Sequence, residues 1–141
     1  MIMKKQNRIK KCIFLFILCF TICMPVLAYP VYGNEKWFET ALPYGSGNVY
    51  FQARDKQSNV AYGYVKISDL SINCNGINAW FCNSSKSRCS NIRYCSSAGS
   101  TQYDITYTSN YNSGAKVLMG IEDYDEATIG SHSVEGYVNY N

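Results

Sequence analysis

Beyond Ala28 the apolar residues fall at alternate positions in short runs, without the three-to-four-residue spacing of an amphipathic helix. Each run is bounded by Gly, Asn, Ser or Asp, which favour turns and disrupt regular pairing. The pattern predicts strands at Asn48–Arg54, Val60–Ile67, Asp69–Cys74, Ile77–Cys82, Ile92–Cys95, Gln102–Ser109, Ala115–Glu122 and Ser133–Tyr140. Many short strands at this spacing imply an all-β fold, a small antiparallel β-sandwich or barrel. Tyr29–Gly47, with Trp37 and Phe38, reads as either an extra strand or a lead-in to a domain over residues 48–141.

Asn75-Gly76 is the preferred pair for a two-residue type I′ turn, in which both positions need positive φ. A hairpin closed there sets Cys74 against Ile77, Ile72 against Ala79 and Leu70 against Phe81, all apolar and on one face. A slip of one residue mixes that set with the polar one, so the expected register is well defined.

The first residues carry a different pattern. Lys4, Lys5, Arg8, Lys10 and Lys11 precede an apolar run from Cys12 to Ala28, which ends in Val26-Leu27-Ala28. This is the form of a helical signal peptide cleaved after residue 28, with cleavage after Gly33 as the alternative. Export predicts an extracellular protein with no membrane span once the leader is removed. It also changes the charge. The chain has 13 Lys and Arg against 10 Asp and Glu, but without the leader eight basic residues face those ten acids, a net of −2. A polycation for nucleic acid is therefore excluded.

Export also bears on cysteine. Cys74, Cys82, Cys89 and Cys95 follow the leader, an even set that an oxidising compartment would pair. With the hairpin in place Cys74 and Cys82 stand roughly 17 Å apart at strand rise, beyond the reach of a disulfide. Two pairings survive. The nested one, Cys74–Cys95 with Cys82–Cys89, is preferred, because a chain turning back after Cys82 carries Cys95 to the level of Gly76. The wider loop would stabilise by about 3 kcal/mol. No Cys-x-x-Cys pair occurs, which argues against zinc.

Three further features bear on function. Lys86, Arg88 and Arg93 lie in a stretch without acids from Leu70 to Tyr103, a patch for an anionic partner such as an envelope polymer or another protein. Asp123 and Asp125 alternate in the Glu122–Glu126 run, a weak calcium candidate lacking the glycine and distal Glu of a calcium loop. Tyr62 with Tyr64, and Tyr103 with Tyr107, fall at even spacing, so each pair shares a strand face. His132 is the only histidine, between Ser131 and Ser133 ahead of the last strand. With the cysteines taken as oxidised and no motif for an oxyanion hole, no catalytic residue and no cofactor are expected.

Tyr64-Val65-Lys66-Ile67, Asn75-Gly76-Ile77-Asn78-Ala79-Trp80, Ala115-Lys116-Val117-Leu118, Glu122-Asp123 and Ser133-Val134-Glu135-Gly136-Tyr137-Val138-Asn139-Tyr140 carry a likeness. Through them, the part from Val60 to Asn141 resembles a family of small secreted Gram-positive bacterial proteins known as a domain of unknown function. Some members are encoded near peptide-toxin or antimicrobial-peptide export systems. The resemblance implies a secreted β domain without a defined active site. The expectation is a non-catalytic binding or interaction protein at the cell surface or in the medium, possible accessory to a peptide-toxin system. A bacteriocin-like antagonist is the first alternative and an enzyme acting on envelope polymers the second.

Overall fold

A computed structural model describes residues 34–43, 45, 47–125 and 131–141. The expected signal peptide over residues 1–28 and the alternative cleavage after Gly33 lie outside the described residues. Nine strands follow in order among the described residues: β1 (Glu35–Leu42), β2 (Val49–Tyr50), β3 (Arg54–Asp55), β4 (Tyr62–Leu70), β5 (Ile77–Asn83), β6 (Arg93–Cys95), β7 (Gln102–Thr106), β8 (Lys116–Asp123) and β9 (His132–Asn139). They form two antiparallel sheets, β1-β9-β4-β7 and β2-β8-β5-β6, with β3 also paired to β8. Neither sheet closes on itself, which excludes the barrel, and no helix occurs among the described residues.

Alternation builds the core. Inward positions of the first sheet supply Phe38, Leu42, Val65, Ile67, Ile105, Val134 and Val138. The second supplies Ile77, Ala79, Phe81, Val117, Met119 and Ile121. Each large side chain sealed in this way contributes about 1.5–3 kcal/mol. Strand β5 is covered on both sides. Its outward Trp80 and Cys82 pack with Leu118, Tyr50 and Ala53. The Trp80 ring lies on Gly120, where an added Cβ would stand 2.6 Å from the indole. Of the two readings of Tyr29–Gly47, the strand holds over Glu35–Leu42, with Phe38 and Leu42 buried.

The Asn75-Gly76 hairpin does not form. Strands β4 and β5 belong to different sheets, so the segment between them is a crossover and the expected Asp69–Cys74 strand is absent. The chain instead leaves β4 through a turn in which Cys74 N–H donates to Ser71 O at 3.0 Å and Asn73 has φ 73°. Positive φ at this third position alone is the mark of a type II turn. Gly76, at φ 136°, serves a close approach, since a Cβ there would lie 2.6 Å from Cys95 O.

The two expected disulfides are also overturned. Cys74, Cys82, Cys89 and Cys95 are free thiols. Arg88, not Cys89, stands opposite Cys82. That one-residue offset sends the two sulfurs to opposite faces, Cys82 to the outer cluster with Trp80 and Cys89 into the core. Cys95 pairs in register with Ile77 and is fully buried. Cys74, released by the missing hairpin, turns toward the ends of β8 and β9. Burial raises the thiol pKa values, that of Cys95 to about 12.

Candidate functional site

One end of the sandwich gathers three reactive groups from three places in the chain. On β8 the inward phase runs Val117, Met119, Ile121 and then Asp123, so the row of core side chains ends in a carboxylate. On β9 the inward phase runs His132, Val134, Gly136, Val138, so that row begins with an imidazole. Strand β8 belongs to one sheet and β9 to the other, and the crossover carrying Cys74 passes between them.

The crossover is held to both strands. Ser71 N–H donates to Ser133 O, and Ser133 N–H to Ser71 Oγ, both at 3.0 Å. Tyr124 N–H donates to Gly76 O at 3.2 Å, and Asn75 Nδ2 donates to Asp125 Oδ2 at 2.9 Å. These bonds fix Cys74 relative to both sheets. Its Sγ, a carboxylate oxygen of Asp123 and a ring nitrogen of His132 all lie within 4.8 Å of one another.

His132 Nδ1 and Asp123 Oδ2 are 2.5 Å apart, and both side chains are more than nine-tenths buried. A carboxylate only accepts, so Nδ1 carries the proton of this contact. The other oxygen, Oδ1, accepts Asp125 N–H at 3.1 Å. Asp123 is thus committed to orienting the ring. Cys74 is half-buried, and its Sγ lies 3.6 Å from Gly76 O. Burial raises its thiol pKa, the Gly76 contact opposes this, and the Asp123 charge adds to the rise. Cys74 therefore rests as a thiol, and reaction there needs a base.

This constellation corrects the expectation of a non-catalytic protein. Two premises fail: the cysteines are not oxidised, and His132 opens β9 in contact with a buried carboxylate rather than lying ahead of the last strand. The sequence carried a signal for it, because Asp123 and His132 continue the core-facing phase of their strands. Cys74 carried none, since its place depends on a crossover that the hairpin reading excluded.

The other sequence-predicted residues are placed as follows. Of the calcium candidates, Asp123 contacts His132, and Asp125 accepts from Asn75 Nδ2. Lys86 and Arg88 line a cavity of about 240 Å³ with Asn48, Tyr50, Trp80 and Glu122 on the outer side of the second sheet. The Lys86 ammonium sits 4.8 Å from the Tyr50 ring centre. Arg93 is in register with core-facing Ala79, on the other side of that sheet from Arg88. Tyr103 and Tyr107 are buried in the core, Tyr107 stacked on Phe81 at 5.2 Å. Tyr62 and Tyr64 share the outer side of the first sheet.

No protein-family model matches the chain, and no curated protein matches it. No helix among the described residues is long and apolar enough to cross a membrane.

Proposed function

We propose that this protein is an exported enzyme using Cys74 as a nucleophile, with His132 as its base and Asp123 as the group orienting the base, in acyl transfer or hydrolysis on an envelope polymer. The observation that carries the reading is the buried 2.5 Å contact between His132 Nδ1 and Asp123 Oδ2 beside the Cys74 thiol. Nucleophile, base and orienting carboxylate in mutual reach are the recurring parts of covalent catalysis. The raised thiol pKa suits activation by a base, in which proton removal accompanies attack. In that step Sγ bonds to the acyl carbon, the thiol proton passes to the His132 ring, and the imidazolium returns it to the departing amine or alcohol as the acyl C–N or C–O bond breaks. Water then cleaves the thioester. Export and the polymer as substrate rest on the leader-like N-terminal pattern.

The same three atoms are also the right types for a thiophilic divalent cation. The nucleophile is favoured because a metal would have to displace the proton shared by Asp123 and His132. The test uses p-nitrophenyl acetate as a generic acyl donor. The expected result is an acetyl thioester mapped to Cys74, formed about 100-fold more slowly in His132→Ala. Acylation of Cys74 at an unchanged rate in His132→Ala overturns the reading. So does stoichiometric Co²⁺ binding with a thiolate charge-transfer band that disappears in Cys74→Ser.

A further inference from the structure

The outer side of the β1-β9-β4-β7 sheet carries side chains whose register places them in adjoining rows. Trp37 is opposite Tyr137, which is opposite Lys66 on the next strand. One step along the same side, Glu39 is opposite Glu135, and Glu135 is opposite Asp69 beyond the bulge in β4. Directly opposed side chains on neighbouring strands have Cβ atoms about 4.5–5.5 Å apart, and like charges so placed repel.

None of these three carboxylates has an ion-pair partner among the described residues. The rest of the surface adds to the imbalance. Strand alternation directs Glu35 and Asp104 to the same side, and the only cation facing outward among the described residues of this sheet is Lys66. Its ammonium already lies 2.7 Å from Glu35. Beside the acidic row, Trp37 and Tyr137 are 48% and 39% exposed, with ring centres 5.0 Å apart at 72°. Exposed aromatic faces next to uncompensated carboxylates attract cations twice over, through the ring quadrupole and through charge.

We infer that this face docks a basic peptide segment, whose Lys or Arg side chains lie between the Trp37–Tyr137 pair and the Glu39–Glu135–Asp69 row. The occupant is set by charge complementarity. An acidic polymer is repelled, and a neutral glycan would leave the acidic row unanswered. The site is separate from Cys74 and does not depend on the enzymatic reading.

Fluorescein-labelled decalysine, followed by anisotropy at low salt, tests the inference on the full chain. Binding is expected, with loss of affinity as salt screens the carboxylates. The triple substitution Glu39→Gln, Asp69→Asn, Glu135→Gln removes three rim charges and is expected to weaken binding about tenfold or more. It also removes like-charge repulsion, so its thermal midpoint stays at or above that of the parent, which separates lost binding from lost folding. Trp37→Ala weakens binding as well, whereas Lys86→Ala, on the other sheet, leaves it unchanged. Absence of decalysine binding overturns the inference, as does undiminished binding by the triple variant. A neutral chitooligosaccharide that binds through Trp37 equally well in parent and triple variant also overturns it, and makes the face a sugar platform.

Discussion

Replacing His132 with Ala leaves the Asp123 carboxylate in a site that is 7% exposed, with only the Asp125 N–H still bonded to it. Removing the donor from a buried carboxylate costs about 3 kcal/mol, because the remaining charge is neither hydrated nor hydrogen-bonded to a replacement. A domain of this size has roughly 5–15 kcal/mol in total, so the variant loses between about a fifth and about three-fifths of its stability. Its thermal midpoint should fall by roughly 15 °C or more. Asp123→Ala is milder, about 1–3 kcal/mol, because it leaves an unmet imidazole donor. The double variant orphans neither the carboxylate nor the imidazole, so its cost falls short of the sum of the two by about 2 kcal/mol. Urea unfolding at neutral pH, followed by tryptophan fluorescence, gives all four corners of this cycle. Additivity within about 0.5 kcal/mol, or a cost below about 1 kcal/mol for His132→Ala, would refute the claim that the pair ties the sheets together.

Further consequences can be checked at other positions. A thiol reagent should modify Cys74 first and Cys82, Cys89 and Cys95 only on unfolding. A cross-linked peptide joining Cys74 to Cys95 or Cys82 to Cys89 in a non-reduced digest contradicts the thiol assignment. An added Cβ at Gly136 would overlap the Lys66 carbonyl oxygen and crowd Phe38, so Gly136→Ala should cost about 1–3 kcal/mol. An unchanged urea midpoint would exclude that overlap. Cys95 and Tyr140 titrate near 9.0 and 10.0 when unfolded but only at about 12 when folded, both through burial. Raised folded values mean that the stabilisation is complete below pH 9 and is lost as pH climbs from there to 12. Each group then removes about 1.4 kcal/mol per pH unit across its own window. Cys95→Ala should flatten the first part of that fall in urea titrations at pH 9 to 10. An unaltered slope argues against the burial of that thiol as its cause.

Strand alternation was legible wherever one side is buried and the other wet. Gln102–Thr106 keeps a strict period of two, His132–Asn139 keeps it as far as Val138, and both strands lie close to their sequence-read positions. Strand β5 was found for another reason: covered on both sides, it reads as a continuous apolar run from Ala79 to Cys82. What misled was Asn75-Gly76. A local turn preference cannot tell a hairpin from a crossover, because the choice lies in where β4 finds its partners, β7 and β9. The facing pairs and the disulfides placed on that hairpin failed with it, although Cys95 does lie at the level of Gly76. The freed Cys74 then became part of the very site that oxidised sulfurs seemed to exclude. Asp123 and His132 could have been recognised by extending Val117-Met119-Ile121 and Val134-Gly136-Val138 by one step each, since polar groups in a core-facing phase need partners.

The first strand among the described residues, Glu35–Leu42, is hydrogen-bonded to the last, His132–Asn139. That last strand also lies between β1 and β4, so two neighbours wait for it. A chain made from its N-terminus therefore holds the first sheet open until His132–Asn139 has been synthesised. A nascent polypeptide stalled before His132 would present two unzipped strand edges, ready to add any passing extended segment.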